Sequence, residues 1–133
     1  MGDGEVTLLD THTWVWWQAC PEKLSKRATA SLDSSPELGI SAISLVEVAR
    51  LATRGRLVLN REVGLWLRIA LAQERIELLP ITPEIAVRAA TFDERYPRDP
   101  ADRIIVATAV QHHAKLVTKD GRLLAIDGLN AIW

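Results

Sequence analysis

The sequence predicts an α/β fold in which helices cover both faces of a mainly parallel sheet of four or five strands. Short apolar runs that are typical of buried strands alternate with stretches of helical length, and the crossovers are long enough for parallel pairing. The chain has 133 residues, 48% of them hydrophobic, which is enough for one domain over 1–133 with its own core. No internal repeat or low-complexity linker interrupts this pattern.

Composition excludes several classes of protein. A single cysteine, Cys20, cannot form an intramolecular disulfide, and one cysteine with three histidines is too little for a typical zinc site. The first ten residues lack the features of a secretion signal, and no apolar run has the length of a membrane span. We therefore expect a cytoplasmic protein. The net charge of −1 gives no support for nucleic-acid binding, which would need local basic clusters.

The first half of the chain predicts two strands and three helices. VTLLD is a short buried strand with Asp10 at its carboxyl end. In the helix that follows, Trp14 and Trp17 share a face, which lies either in the core or on a partner-binding surface. A second helix is predicted to begin at Pro21, ELGIS is the second strand, and a third helix, AISLVEVARLATRGR, ends just before Gly55.

Glu47 is the notable acid of this third helix. If the helix begins at Ser44, Glu47 completes an S-x-x-E capping box and has a structural role. If the helix begins nearer Ser41, Glu47 lies inside it, as an acid in an otherwise apolar neighbourhood. The sequence leaves both possibilities open.

The second half begins with an amphipathic helix over 61–73 that carries Trp66, followed by the strand IELLPI and a helix that begins at Pro83. The next helix is predicted to start at Asp99 and Pro100, because the Asp side chain can cap the first turn and Pro at the first position loses no hydrogen bond.

The apolar run IIVATAV indicates that this helix is largely buried and holds Asp102 rigidly in its first turn. LVT then forms a short strand with Asp120 at its exit, and LNAIW supplies the last strand.

Four acids are therefore expected to meet at one edge of the parallel sheet, namely Asp10, Glu47, Asp102 and Asp120. Such carboxylates repel one another unless a cation neutralises them. Oxygen ligands without soft donors favour Mg²⁺ or Mn²⁺ over zinc. A metal held in this way can activate water, which indicates metal-dependent phosphodiester hydrolysis. Nothing in these residues distinguishes RNA from DNA.

Basic residues flank these acids in the sequence. They are either solvated surface charges or contacts to a phosphate backbone. The four candidates are Arg98, Arg103, Lys119 and Arg122.

Two phosphoryl-transfer alternatives fit less well. A phosphatase of the haloacid dehalogenase type needs a second Asp two residues after Asp10, where this chain has His12. A receiver domain needs an acid pair at the exit of the first strand, whereas Asp3 and Glu5 precede that strand or lie within it.

A non-catalytic interaction module is a third alternative. Its acid cluster would dock a partner arginine, and Trp14, Trp17 and Trp66 would line a groove for an amphipathic helix.

The segments LLDTHTWVWW, SLVEVARL, DPADRIIVATA and LVTKD, in this order and at these separations, resemble the PIN-domain family, particularly the VapC-type toxins of bacterial toxin–antitoxin pairs. The resemblance covers nearly the whole chain. It implies an α/β/α sandwich, Mg²⁺- or Mn²⁺-dependent endoribonuclease activity, homodimerisation, and inhibition by a small antitoxin. His12 is a departure from the family pattern, and we expect it to lie at the edge of the site and not to act as a base. The implied metal-binding and catalytic residues are Asp10, Glu47, Asp102 and Asp120, with Asp99 and Thr118 as auxiliary residues.

Overall fold

A computed structural model describes residues 6–133, so that Asp3 and Glu5 lie outside the described residues. Over this range the chain forms five strands, seven α-helices and one short 3₁₀ turn. In chain order the elements are β1 (Val6–Leu9), α1 (Thr11–Ala19), the 3₁₀ turn (Pro21–Lys23), α2 (Lys26–Ser34), β2 (Glu37–Ser41), α3 (Ala42–Thr53), α4 (Val63–Leu71), β3 (Ile76–Leu79), α5 (Pro83–Thr91), α6 (Pro100–Gln111), β4 (Lys115–Val117), α7 (Gly121–Leu124) and β5 (Ala131–Ile132).

The five strands form one sheet in the order β3-β2-β1-β4-β5, and every pairing is parallel. The predicted sheet is thus confirmed with five strands. β1 lies in the middle, where Leu9 is in register with Ile40 of β2 and with Val117 of β4. Because the strands are parallel, their carboxyl ends all reach the same edge of the sheet.

Helices cover both faces of this sheet. Leu9 packs on one face in a core cluster that includes Trp14 and Trp66, while the adjacent Leu8 packs on the other face with Ile105 of α6. Neighbouring strand residues point to opposite faces, so each face of β1 contributes to its own core. The predicted α/β/α sandwich is therefore confirmed.

The helix predicted to begin at Pro21 starts later. Pro21 opens only the short 3₁₀ turn, and Leu24 is extended with ψ at 143°. Ser25 then caps α2, since its side chain accepts a hydrogen bond from the N–H of Ala28. The local N-cap chemistry of Ser25 therefore outweighs the helix-start signal of the proline.

The third helix begins at Ala42, with Ser41 as its N-cap. This resolves the alternative at Glu47, which lies inside α3 and is not the partner of a cap at Ser44. Gly55 follows the helix with φ at +72°, a conformation that glycine adopts without strain.

The interaction-module alternative required a surface groove lined by Trp14, Trp17 and Trp66, and the structure does not form it. Trp14 is completely buried and Trp66 is 6% exposed, and their rings meet edge to face at a centroid distance of 5.4 Å. Both side chains belong to the core, and Trp17 packs against the same cluster. Across residues 6–133 no helix combines the length and the apolar character that crossing a lipid bilayer requires.

Candidate active site

Asp10 leaves the end of β1 and caps α1. Its Oδ1 accepts the Thr11 N–H at 2.9 Å, and its Oδ2 accepts the Thr118 hydroxyl at 2.7 Å. Thr118 directly follows β4, the neighbour of β1, so this hydrogen bond joins the ends of adjacent strands. Burial raises the pKa of Asp10 above its usual range, although both hydrogen bonds act in the opposite direction.

Glu47 reaches the same region from α3. The Thr11 hydroxyl donates to its Oε1 and lies 2.8 Å from the hydroxyl of buried Ser44. Ser44 and Glu47 are three residues apart and therefore share a face of the helix. Thr11 thus connects the start of α1 to α3 and fixes the carboxylate of Glu47. Burial is the main cause of the raised pKa of Glu47.

The start of α6 supplies two further acids. Asp99 is the N-cap, as predicted, and its Oδ1 accepts the Ala101 N–H at 2.9 Å. Asp102 lies in the first turn with its side chain only 15% exposed. Burial, reinforced by the negative charges of Asp99 and Asp10, raises the pKa of Asp102 to about 6.

Asp120 is the N-cap of α7, a short helix that the sequence analysis does not anticipate. Its N–H donates to the Thr118 hydroxyl at 3.1 Å, so Thr118 contacts both Asp10 and Asp120. Arg122 Nη2 lies 2.7 Å from Oδ2 of Asp120 and 3.2 Å from Oδ2 of Asp102. The guanidinium lowers the pKa of Asp120, whereas its own pKa is raised by the two carboxylates.

These acids line one cavity of about 510 Å³ at the carboxyl edge of the sheet. The structure therefore brings together the four acids that were expected to meet, and Asp99 with them. The cavity is lined by Asp10, Thr11, His12, Thr13, Trp16, Glu47, Asp99, Asp102, Lys119, Asp120 and Arg122. Three of its five carboxyl groups have raised pKa values, mainly because burial disfavours their charged forms and in smaller part because neighbouring carboxylates repel them.

The donors of this cavity suit a hard divalent cation, because carboxylate and hydroxyl oxygens dominate and the lining contains no thiol. Within the part of the chain that the structure describes, no three acid, imidazole or thiol groups are already arranged as a metal-ligand set. Arg122 holds Asp102 and Asp120, and both oxygens of Asp10 accept hydrogen bonds. A cation held by Asp102 and Asp120 would compete with Arg122 for their carboxylates and would complete its shell with water or substrate oxygens.

The basic candidates divide into two pairs. Lys119 and Arg122 line the acidic cavity, as expected for groups near a phosphate. Arg98 instead lines a separate, mainly apolar cavity between α5 and α6. Arg103 faces the loop before α6 and donates to the carbonyls of Pro97, at 2.7 Å, and Phe92, at 2.8 Å. The donors of Arg103 serve the backbone in this structure, which does not favour a contact with phosphate, and its RNA-binding role stays a prediction.

Trp16 and Thr11 are cavity residues that the sequence analysis misses. A signal for Trp16 was present, because it follows His12 by four residues and such residues share a helix face. Their rings do lie close, at a centroid distance of 5.9 Å. The face of Trp14 and Trp17, by contrast, turns to the core.

Comparisons with known proteins agree with this architecture. A family model described as PIN domain matches residues 7–129. Ribonuclease VapC22 of Mycobacterium tuberculosis is 44% identical over 116 residues, which are 87% of this chain and 88% of that protein. FitAcB from Neisseria gonorrhoeae superposes with a TM-score of 0.64 at 29% identity, covering 96% of both chains. A toxin–antitoxin complex from Klebsiella pneumoniae has a TM-score of 0.67 at 21% identity, also with 96% of both chains covered, and supports the fold alone.

Proposed function

The chain belongs to the PIN-domain family, and on this basis we propose that it is a metal-dependent endoribonuclease that acts as the toxin of a toxin–antitoxin pair. Family membership excludes the phosphatase and receiver-domain alternatives. RNA is the proposed substrate because the relative that is 44% identical is named a ribonuclease. The observation that carries the proposal is the single cavity lined by five carboxyl groups, three of them with raised pKa values.

Mg²⁺ or Mn²⁺ is the proposed cofactor, and Asp10, Glu47, Asp102 and Asp120 are the residues that would hold it. Such an ion supplies Lewis acidity, which lowers the pKa of a bound water and stabilises negative charge at the phosphorus centre.

The protein's own contribution is to place these carboxylates and to receive the RNA. Thr118 orients Asp10 through its hydroxyl, and Thr11 orients Glu47 in the same way. Lys119 and Arg122 are the cations at the cavity, so they are placed to contact the phosphates that flank the cleaved bond. Asp99 caps α6 and adds negative charge beside Asp102.

A small antitoxin protein and a second copy of this chain are the proposed partners, and the cytoplasm, where RNA is translated, is the proposed location. The antitoxin is proposed because the chain belongs to the PIN-domain family and is 44% identical to a VapC ribonuclease, and its motifs resemble VapC-type toxins of toxin–antitoxin pairs.

The decisive experiment is cleavage of a mixed structured RNA pool by the purified protein with Mg²⁺ or Mn²⁺, alongside an EDTA control. Asp102→Asn keeps the shape of the side chain and removes its charge, so cleavage should fall by at least ~100-fold. The matched control is Asp33→Asn, an exposed acid of α2 that does not line the cavity and should leave cleavage unchanged. Cleavage that persists in EDTA, or in Asp102→Asn, would contradict the proposed chemistry.

The alternative outcome is also informative. The contacts of Arg122 with Asp102 and Asp120 show that this acid pair accepts a guanidinium. A protein that cuts no RNA with any metal, and binds no Mg²⁺ or Mn²⁺ by calorimetry, would instead be a docking module for a partner arginine.

A further inference from the structure

Trp16 is the large aromatic residue at the acidic cavity, and it does not hold any of the acids in place. It is half-buried on α1 and lines the same cavity as Asp10 and Asp102. The hydrogen bonds that orient the carboxylates come from threonine, arginine and backbone groups, as described above. Because the indole is only half-buried and lines the cavity, part of it is accessible to a substrate bound there.

The neighbouring aromatic rings hold Trp16 in its orientation, but neither of them stacks parallel to its indole. The ring of Trp133 packs against it at a centroid distance of 5.8 Å and an interplanar angle of 62°, and the imidazole of His12 lies at 5.9 Å and 50°. Aromatic neighbours that are tilted in this way hold a ring by edge contacts.

Two lysine ammonium groups lie over this indole. The Nζ atom of Lys119 is 5.8 Å from the ring centroid, and that of Lys23 is 5.9 Å away. Both lysines are exposed, and their long side chains can swing aside at small cost. A ligand with a flat ring and an attached anion would satisfy the indole and the lysines together.

A nucleotide of single-stranded RNA has this chemistry, because its base has a flat π-face and its phosphate carries the negative charge. An acidic peptide would satisfy only the lysines. We propose that Trp16 is a stacking platform for an unpaired base of the RNA, next to the carboxylate cavity, with Lys119 and Lys23 contacting the adjoining phosphates. This inference rests on the proposed ribonuclease function and adds that the substrate is unpaired at this position.

The consequence is a selection by RNA structure. A base inside a duplex has both faces covered by its neighbours, so it cannot stack on an indole without leaving the helix. Trp16 therefore favours loops, bulges and single strands over continuous duplex RNA.

The test measures binding separately from cleavage, in the Asp102→Asn background, which keeps the RNA intact. The probes are a labelled oligoadenylate, an abasic ribose-phosphate strand of the same length, and the oligoadenylate annealed to oligouridylate. Trp16→Leu should weaken oligoadenylate binding roughly tenfold, as expected for the loss of one base stack, and should leave the abasic strand almost unchanged. Trp16→Phe should restore most of the affinity, because phenylalanine also stacks on bases.

The matched control is Trp17→Leu, which removes a neighbouring tryptophan of the same helix that packs against the core and does not line the cavity. Thermal unfolding of each variant shows whether it is folded at the assay temperature. If Trp16→Leu caused a structural defect, binding of the abasic strand and of oligoadenylate would fall equally. This result would contradict the proposed stacking role of Trp16.

Other outcomes separate the two proposals. If Trp16→Leu binds oligoadenylate as tightly as its parent, the platform is overturned while the ribonuclease function stands. If the parent binds none of the probes and the wild-type protein cuts no RNA, both proposals fail together. Preferential binding of the duplex would also overturn the platform. If an acidic peptide competes for the site as well as oligoadenylate does, the occupant is a protein partner and the stacking role is rejected.

Discussion

Asp102 and Arg103 are consecutive residues of α6, but they serve two different regions of the molecule. Asp102 turns into the acidic cavity, where burial and neighbouring carboxylates raise its pKa. Arg103 turns to the loop before the helix, where its guanidinium donates to the carbonyls of Phe92 and Pro97, and it also donates to the carbonyl of Ala89 in α5. Successive helix residues point about 100° apart, so adjacency in sequence does not mean proximity in space.

The two regions also differ in how well their polar groups are satisfied. In the loop, the charged donors of Arg103 meet the carbonyls of Pro97 and Phe92, and such charge-assisted hydrogen bonds favour folding. In the cavity, burial above all, and then the charges of Asp99 and Asp10, disfavour the charged form of Asp102. The difference shows which charged residues stabilise the fold and which ones the fold holds in place at a cost.

The largest stability effect is expected at Arg103. Arg103→Met keeps much of the apolar stem and removes the donors, which leaves the loop carbonyls without partners, so the free energy of unfolding should fall by about 2 kcal/mol. Urea denaturation measures this change. The control is Arg98→Met, an exposed arginine in the same loop, for which we expect a change below ~0.5 kcal/mol. Equal effects of the two substitutions would remove the contrast between the regions.

At Asp102 we expect a substitution to increase the free energy of unfolding, opposite to the effect at Arg103. Its pKa is raised from 3.8 to about 6 in the folded protein, so the folded state binds this proton more tightly than the unfolded state does. The resulting stability is fully present below the unfolded pKa and is lost as the pH rises through the folded pKa.

Asp102→Asn should therefore stabilise the metal-free protein by about 1 kcal/mol at neutral pH, since solvent screens part of the repulsion and Arg122 loses one partner. The gain should vanish in acid, where Asp102 is protonated. Urea denaturation in EDTA across this pH range measures it, with Asp33→Asn as the control. Destabilisation at neutral pH would show that the cavity is not electrostatically strained.

The smallest effect on stability is expected at Arg122, whose side chain is 64% exposed. Arg122→Gln should change the free energy of unfolding by less than ~0.5 kcal/mol, because exposed ion pairs contribute little. It should nevertheless raise the pKa values of Asp102 and Asp120, because the cation that favours their charged forms is removed. Titration of the carboxyl carbons by NMR measures these shifts. Unchanged pKa values would mean that the ion pairs do not persist in solution.

Most of the fold is predictable because the strands have a clear local signature. Each is a short apolar run, and the parallel order follows from the long crossovers between them. The start of α2 is harder to predict, because Pro21 and Ser25 both give helix-start signals four residues apart, and the structure shows that the side-chain cap of Ser25 prevails. The small helix α7 has only four residues, too few for a periodic pattern.

Asp10, Asp102 and Asp120 are predictable because each stands at the end of a strand or in the first turn of a helix, whereas Glu47 lies inside α3 and its sequence context left two roles open. The directions in which the side chains of Arg103, Trp14 and Trp66 point cannot be predicted in this way, because they depend on which neighbours pack against each helix face. Trp16 is missed for a related reason, since three tryptophans within four positions offer two helix faces and composition does not say which one faces solvent.

The central position of β1 affects how the protein is made. Asp10 and its partner Thr118 are 108 positions apart, so β1 cannot pair with β4 until the segment through Thr118 has left the ribosome. Pairing between distant segments also slows folding, because loop-closure entropy is lost before the contacts form. A nascent chain that has emerged only as far as α6 lacks Asp120 and has one open edge on its central strand. The acidic cavity therefore cannot assemble until the segment through Asp120 has been synthesised.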